Sequence, residues 1–169
     1  MKTILNTYQL QITIERLAYQ LIENYAEPEP LAIIGIQPRG VALSDRIYEQ
    51  LLKIAPEQTL HYGKMDITFY RDDIRNELHE PNRTDIAFSI EDKNVILIDD
   101  VLYTGRTIRA ALDALLAFGR PKKVELCVLI DRRYSRQLPI QPDYCGKSID
   151  SIISQKVKVE WEKGEVILY

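Results

Sequence analysis

The sequence predicts a single α/β domain built around a mostly parallel sheet. Apolar runs of strand length at residues 31–36, 95–98 and 124–130 alternate with stretches that have helical spacing. Buried parallel strands joined by helices are typical of this order of elements. The chain has 169 residues, 46% of them apolar, which is enough for one such core and too few for two. We therefore expect residues 1–169 to form one domain.

The first predicted element is an amphipathic helix. Leu10, Ile14 and Leu17 recur at helical spacing, and Asn6 or Thr7 stands in front of them as a cap. The strand at residues 31–36 follows this helix.

A tight turn at residues 37–40, QPRG, connects that strand to a second predicted helix. Main-chain N–H groups at a helix start, together with the Arg39 guanidinium, form a candidate anion site.

The middle of the chain predicts a hairpin. Residues 60–70 and 84–90 alternate between apolar and polar side chains, as half-buried strands do. The loop between them is long and charged, and long loops are often functional. The pattern indicates a hairpin lid from which Arg71, Arg75 and Arg83 would reach a pyrophosphate; the alternative is a solvated loop with surface arginines.

The last third of the chain predicts a buried strand at residues 124–130, with Asp131 at its carboxyl end. Residues 144–154 look turn-rich, and two strands are expected on either side of Lys163-Gly164. Trp161 and Tyr169 are expected to be packing residues.

The stretch from Val95 to Thr107, VILIDDVLYTGRT, carries the main functional signal. Asp99 and Asp100 stand where a buried strand leaves the sheet, and a Thr-Gly-Arg-Thr run at 104–107 begins the next helix. Unpaired N–H groups and the helix dipole favour a phosphate there. The carboxylates are acceptors for vicinal hydroxyls, or reach a divalent ion through water. The combination indicates a sugar phosphate; the alternative is that these residues only cap the helix.

This stretch resembles the binding motif for 5-phosphoribosyl-1-diphosphate (PRPP) of type I phosphoribosyltransferases. The resemblance implies their fold, a central mostly parallel sheet flanked by helices, with a small hood and a flexible β-hairpin lid. It implies catalytic roles for Asp99 and Asp100. The implied PRPP-binding residues are Asp99, Asp100, Val101, Leu102, Tyr103, Thr104, Gly105, Arg106 and Thr107. The implied pyrophosphate loop is Pro38, Arg39 and Gly40, and the implied lid residues are Arg71, Asp72 and Asp73. This loop commonly contains a cis peptide in the family, and the resemblance places it at Gln37-Pro38, where proline lowers the cost of the cis form.

Three further stretches, MDITFYRDD, FGRPKKVELCVLIDR and LPIQPDYCGKSI, narrow the resemblance to the PyrR family. These are bifunctional pyrimidine regulators with uracil phosphoribosyltransferase activity. The resemblance implies transfer of phosphoribose from PRPP to uracil, giving UMP and pyrophosphate, with Mg²⁺ carried by PRPP and no direct protein ligands. It places Arg132 and Val157 at the uracil pocket and implies a homodimer or higher oligomer.

The sequence departs from that family in three places. Pro38 replaces a threonine, and Arg133-Tyr134 replaces Gly-His with one extra residue before Leu138. The first helix lacks the arginine-rich face that attenuating members use for RNA, and its acidic side chains repel phosphate. Compensation would require the basic residues elsewhere to cluster: Lys122, Lys123, Arg133, Arg136, Lys147, Lys156 and Lys158.

Two alternatives to the uracil enzyme therefore stay open. One is a UMP-dependent RNA-binding attenuator of pyrimidine genes, with or without catalysis. The other is a purine phosphoribosyltransferase, which shares the PRPP loop and differs at the base.

The net charge of −3 does not indicate nucleic-acid binding by the bulk surface. The two cysteines lack the spacing of a metal site or a disulfide framework. The amino terminus lacks a continuous apolar region, and no run approaches the ~20 apolar residues of a membrane span. We expect a cytoplasmic protein without membrane contact.

Overall fold

The computed structural model describes residues 1–25, 29–72 and 83–169. These residues form three α-helices: α1 (Thr7–Asn24), α2 (Gly40–Ile54) and α3 (Arg106–Leu115). They also form eight strands: β1 (Lys2–Leu5), β2 (Leu31–Ile36), β3 (Leu60–Met65), β4 (Asn94–Leu102), β5 (Lys123–Arg133), β6 (Tyr144–Asp150), β7 (Val157–Glu160) and β8 (Glu165–Leu168). Short 3₁₀ turns cover Thr68–Tyr70 and Leu116–Phe118. None of the helices in these ranges has the length and apolar content needed to cross a membrane.

Five strands form a parallel sheet in the order β3-β2-β4-β5-β6. Strand β4 lies at its centre, so the carboxyl ends of β2, β4 and β5 meet at one edge. The predicted α/β architecture with a mostly parallel sheet is confirmed.

Helices cover both faces of this sheet. Ile96 and Ile98 of β4 belong to a core cluster shared with α1 and α2, whereas Val95 and Leu97 belong to a second cluster shared with α3. All four side chains are fully buried. Burial of each contributes about 1.5–3 kcal/mol, and burial on both faces accounts for the continuous apolar run that predicted this strand.

Helix α1 begins where the sequence predicts. The Asn6 side chain accepts a hydrogen bond from the Gln9 N–H (2.9 Å), and Gln9 Oε1 accepts from the Asn6 N–H (3.0 Å). This reciprocal pair is a capping box, which satisfies two N–H groups at the helix start.

The strand predicted at residues 60–70 is too long, because β3 ends at Met65. Asp66 Oδ1 accepts hydrogen bonds from the Thr68 N–H (3.1 Å) and from Thr68 Oγ1 (2.7 Å). An aspartate bonded to the backbone two residues later forms a turn in place of a strand ladder. The chain therefore turns into a 3₁₀ helix at Thr68–Tyr70.

The second strand of the predicted hairpin is also wrong in its described part. Residues 84–90 contribute a single antiparallel bridge, between Asp85 and Lys64, and no longer ladder. Ile86 and Phe88 pack against the α3-side core cluster, and the Phe88 ring centre lies 5.1 Å from that of His61 in β3. The segment thus stays beside β3 through side-chain contacts and not through a backbone ladder. The rest of the predicted lid, residues 73–82, lies outside the described residues.

Residues 144–150, predicted as turns, form strand β6. Each residue from Tyr144 to Asp150 lies beside β5, and Gly146 permits that approach because a Cβ there would lie 2.4 Å from the Leu129 carbonyl oxygen. Tertiary packing thus overrides the weak strand preference of Gly, Ser and Lys.

A second, antiparallel sheet has the order β1-β8-β7. The two strands predicted around Lys163-Gly164 are β7 and β8, and both are confirmed. Strand β1 was not predicted, since its four residues become a strand only by pairing with β8 from the other end of the chain.

Candidate active site

A cleft of about 1340 Å³ opens at the carboxyl edge of the large sheet and is also lined by β7. The turns after β2, β4 and β5 all reach it. The sequence-predicted residues that line it are Pro38, Arg39, Arg71, Asp99, Asp100, Val101, Leu102, Tyr103, Thr104, Gly105, Arg106, Thr107, Arg132 and Val157. Gly40 and Asp72 lie next to this lining, and Asp73 lies outside the described residues.

The sequence predicts that the two carboxylates stand where the strand leaves the sheet. In the structure they are instead buried inside β4. Asp99 and Asp100 are each 6% exposed, and the Asp100 N–H donates to Asp99 Oδ1 (3.0 Å). Burial raises the pKa of Asp99 well above its usual range, and the neighbouring Asp100 charge raises it further. Burial also raises the pKa of Asp100, against the lowering effect of the Arg39 guanidinium. The pair therefore binds protons more tightly than surface aspartates do.

The loop after β4 has the geometry of an anion cradle. Gly105 has a φ of +91°, a left-handed conformation that glycine adopts without strain, and α3 begins at the next residue. The first N–H groups of the helix are there, and the Arg106 N–H reaches Thr104 Oγ1 at 3.4 Å. A phosphate at this position would meet unpaired donors and the positive end of the helix dipole.

The Arg106 side chain is held by protein partners. Its Nη1 lies 2.9 Å from Asp72 Oδ2, and its Nε donates to Gln137 Oε1 (2.7 Å). Asp72 also pairs with Arg109 (3.3 Å). Arg106 thus ties the start of the predicted lid to the loop.

The turn after β2 lies against the acid pair. The Gln37-Pro38 peptide is cis, as predicted. Gly40 lies so close to β4 that a Cβ on it would be 2.3 Å from the Ile98 carbonyl oxygen and 3.1 Å from Asp99 Cα. Only glycine allows the start of α2 and Arg39 to come this near to the carboxylates.

Comparison with known proteins places the chain in a family. The model of the phosphoribosyl transferase domain family matches residues 1–163. A protein of Haemophilus ducreyi, named bifunctional protein PyrR, is 45% identical over 163 residues, covering 95% of this chain and 90% of the relative. The chain belongs to the PyrR family of phosphoribosyltransferases. Proteins of the same name from Picosynechococcus sp. (46%, covering 92% of this chain and 88% of the relative) and Latilactobacillus sakei (45%, covering 96% and 92%) agree.

Solved structures support the fold of this PyrR-family chain. Hypoxanthine phosphoribosyltransferase of Trypanosoma cruzi aligns with a TM-score of 0.74 at 15% identity, over 99% of this chain and 90% of the other. The Staphylococcus aureus hypoxanthine enzyme aligns with a TM-score of 0.65 at 21% identity, over 88% and 77%. At such identities the likeness concerns the fold alone. The resemblance found in the sequence, to the PyrR family and the type I fold, is confirmed.

In this PyrR-family chain Arg132 supports the cleft wall from within β5. It is 5% exposed, its Nε donates to Ser151 Oγ (2.9 Å), and its Nη2 donates to the carbonyls of Ile152 (3.2 Å) and Gln155 (2.8 Å). Its guanidinium also lies 4.0 Å from the centre of the Tyr103 ring. Arg132 therefore fixes the turn that leads into β7.

The register of β7 leaves main-chain groups of Val157 directed away from its neighbour. Lys156 and Tyr169 exchange two hydrogen bonds, at 2.7 and 3.0 Å, so the next pair, Val157 and Leu168, is a non-hydrogen-bonded pair. Strand β7 is at the edge of its sheet. The N–H and C=O of Val157 consequently point outward from that edge.

Several cleft residues escaped the sequence analysis. Trp161 packs partly against the core, with the Arg46 guanidinium 4.5 Å from its ring centre, as its predicted packing role requires. It nevertheless lines the cleft, as do Lys156, Gln137 and the half-exposed Tyr169. No local pattern marks them. Lys156, Trp161 and Tyr169 reach the cleft through pairing in the small sheet, and Gln137 reaches it because its N–H bonds to the Thr104 carbonyl.

Proposed function

We propose that this chain transfers phosphoribose from PRPP to uracil, forming UMP and pyrophosphate. One observation supports this most strongly: the acid pair, the loop at 104–107 and the start of α2 all line one cleft. The loop would hold the 5′ phosphate, and Asp99 and Asp100 would accept hydrogen bonds from the ribose hydroxyls. Arg39 would face the pyrophosphate.

The chemistry requires positioning more than proton transfer. A bond forms between the base nitrogen and ribose C1 while the bond from C1 to the pyrophosphate oxygen breaks, through a state with positive charge on the ribose. Carboxylates beside the ribose and a guanidinium beside the leaving group stabilise that charge distribution. Exclusion of water protects PRPP from hydrolysis. Arg71 lines the cleft. We expect it to be the first residue of a lid that also includes Asp72 and Asp73.

Magnesium fits as a partner of the substrate. Among the described residues no group of three or more His, Cys, Asp or Glu is arranged to hold a metal ion. Mg²⁺ commonly binds through one or two carboxylates together with substrate phosphates, and Asp99 and Asp100 provide carboxylates at the expected ribose position. When bound with PRPP it would supply positive charge to the pyrophosphate.

The base is proposed to bind at the outward edge of Val157. In an extended residue the N–H and C=O of the same residue lie side by side, one donor and one acceptor. Uracil presents a matching acceptor and donor, its C4 carbonyl and N3–H. Cytosine presents the reverse pattern, so we expect its rejection, since unpaired polar groups are costly. In this proposal Arg132 shapes the pocket by holding the turn before Val157.

The edge of Val157 alone does not separate uracil from hypoxanthine, because both carry an N–H beside a carbonyl. Uracil is favoured by relatives at 45–46% identity that bear the PyrR name, whereas the hypoxanthine enzymes share 15–21%. The purine alternative is therefore the one that the experiment must test.

The test is a product assay with PRPP, Mg²⁺ and one base at a time: uracil, cytosine, hypoxanthine or guanine. We expect UMP from uracil, and product from cytosine at no more than about 1% of that rate, as expected for a site that pairs polar groups of its substrate. Hypoxanthine and guanine should react far more slowly than uracil, in keeping with the PyrR name of the relatives at 45–46% identity. Efficient use of hypoxanthine or guanine would replace the proposal with the purine alternative. No product with any base would reject it.

A further inference from the structure

The segment of residues 136–140, which follows β5, lies directly against the phosphate loop. Its Gln137 and Leu138 N–H groups both donate to the Thr104 carbonyl, at 2.9 and 3.2 Å. A Cβ placed on Gly105 would lie 3.4 Å from Ile140, which is ordinary packing contact. The segment therefore contacts the loop through the Thr104 carbonyl and Gly105, and its Gln137 lines the cleft together with them.

Arg136 is the charged member of this segment. Its Nη1 donates to the Tyr103 carbonyl oxygen (2.7 Å) and its Nη2 to Asp131 Oδ1 (2.6 Å). The two side chains are only 21% and 12% exposed, so solvent screens this ion pair weakly. Charge-assisted bonds of this kind are about twice as strong as neutral ones.

These bonds set the direction of two peptide units. A trans peptide is planar, with its C=O and the following N–H on opposite sides. Arg136 holds the carbonyl of Tyr103, which belongs to the same peptide as the Thr104 N–H. Gln137 and Leu138 hold the carbonyl of Thr104, which belongs to the same peptide as the Gly105 N–H. With both carbonyls directed toward the 136–140 segment, both N–H groups are directed away from it, toward the cleft.

We propose that Arg136 is a positioning residue for the 5′-phosphate subsite, with Asp131 fixing its guanidinium. It would not touch the substrate. It would orient the Thr104 N–H before PRPP arrives, so that the phosphate meets donors that need no reorganisation. The inference rests on the proposed function, because it takes the 104–107 loop to be the phosphate subsite.

The test compares two ligands that differ in the group the loop binds. Ribose 5-phosphate carries the 5′ phosphate, whereas pyrophosphate lacks it and would bind near Arg39. Their affinities for the wild-type chain, Arg136→Gln and Arg136→Lys are measured by calorimetry with Mg²⁺. Arg133→Gln is the matched control, because Arg133 makes an exposed ion pair with Asp150 at 2.7 Å, lies 5.6 Å from the centre of the exposed Tyr134 ring and is outside the cleft lining.

We expect Arg136→Gln to lower the affinity for ribose 5-phosphate by about tenfold or more, the range for loss of a hydrogen bond to a charged group. The affinity for pyrophosphate should change less than twofold. Arg136→Lys keeps the charge but reaches one acceptor, so its loss should be intermediate. Arg133→Gln should match the wild type. The KM for PRPP should rise in Arg136→Gln while the KM for uracil stays the same.

The controls separate the ways in which the inference fails. Equal affinity of Arg136→Gln and wild type for ribose 5-phosphate, or equal weakening of both ligands, would overturn it while leaving the proposed function intact. If Arg136→Gln does not fold, Arg136→Lys decides by the same comparison. A wild-type chain that binds neither ligand would overturn the proposed function and the inference together.

Discussion

At the scale of single residues, the acid pair combines a functional need with a cost in stability. Asp99 and Asp100 are almost fully buried, and burial raises the pKa of both. Active sites commonly give up stability for function, and the proposed function assigns such a role to this pair. In that proposal their negative charge is useful when ribose hydroxyls and Mg²⁺ are bound, and it is costly when they are absent.

This conflict predicts that Asp99→Asn stabilises the protein while it removes activity. The folded chain binds the Asp99 proton more tightly than the unfolded chain, so stability falls as the pH rises from near 3.8, the usual value, through the raised pKa. At pH 7 the variant should gain about 1–2 kcal/mol in free energy of unfolding, and below pH 3.8 the gain should disappear. Turnover should fall by about a hundredfold or more.

Thermal melts of both proteins from pH 3 to pH 8 provide the measurement. Asp113→Asn is the matched control, because Asp113 is half exposed and pairs with Arg109 at 3.3 Å on the surface of α3. It should change stability by less than about 0.5 kcal/mol at any pH. A destabilised Asp99→Asn at pH 7 would show that the carboxylate charge contributes to folding.

Single residues also show what a sequence reveals about a site. Asp99, Asp100 and the 104–107 loop were predictable, because strand, acids, glycine and helix start are adjacent in the chain. Arg132 and Arg136 contact Tyr103 only because β5 lies beside β4, and no local pattern encodes which carbonyl a guanidinium reaches. The residues that form the site along β4 and its loop were thus predictable, whereas the arginines that hold this loop in place were not.

At the scale of elements, the distance between α2 and β4 determines where Arg39 lies. Gly40 of α2 packs directly against Ile98 and Asp99 of β4, and there is no room for a Cβ between them. We expect Gly40→Ala to move the start of α2 away from the acid pair. The free energy of unfolding should drop by about 1–3 kcal/mol, as in overpacked cores. The KM for PRPP should rise by about tenfold, the equivalent of 1.4 kcal/mol, with a smaller change for uracil.

Gly164→Ala is a suitable control for this variant. Gly164 has a φ of +68° in the turn between β7 and β8, so alanine should cost about 1–2 kcal/mol there through strain. That loss should leave the KM for PRPP unchanged. If both variants raised this KM equally, general loss of stability would explain the effect and the contact would have no special role.

The elements also show the limits of pattern reading. Strands β2 and β4 were found because they are apolar on both faces, whereas β3 was overextended by the alternation beyond Met65. That alternation is local, but the Asp66 side chain ends the strand by bonding to Thr68. Strand β6 was missed since its Gly, Lys and Ser residues become a strand only beside β5.

At the scale of the whole molecule, the two ends of the chain build one wall of the cleft. Strand β1 pairs with β8, and β8 with β7, whose Val157 lines the cleft. A sheet formed from residues more than 150 positions apart leaves no short-range signal at its amino-terminal strand. The small sheet is in the place of the hood that the resemblance implies. Its strands β7 and β8 were predicted from the sequence, but β1 was not.

Charge distribution leads to the last prediction, which concerns RNA. The sequence does not decide whether the scattered basic residues cluster on one face. In the described ranges six of the seven have protein partners: Lys122 with Glu29, Lys123 with Glu125, Arg133 with Asp150, Arg136 with Asp131, Lys158 with Glu160, and Lys147 with the Ile4 carbonyl. Arg133 and Lys147 line one small pocket, but both are paired there. Phosphate contacts would have to break these pairs, so little affinity is available from them.

We accordingly expect a pyrimidine leader transcript to bind this chain only non-specifically, with a Kd of about 10⁻⁴–10⁻⁶ M at physiological salt, in filter-binding titrations. UMP, the product of the proposed reaction, should not change that value. Glu23→Lys on the exposed face of α1 should strengthen binding and steepen its salt dependence by about one unit of log–log slope, because each added phosphate contact releases counterions. Submicromolar binding that UMP strengthens would instead show that the chain regulates through RNA, on a surface formed by residues outside the described ranges or by more than one copy of the chain.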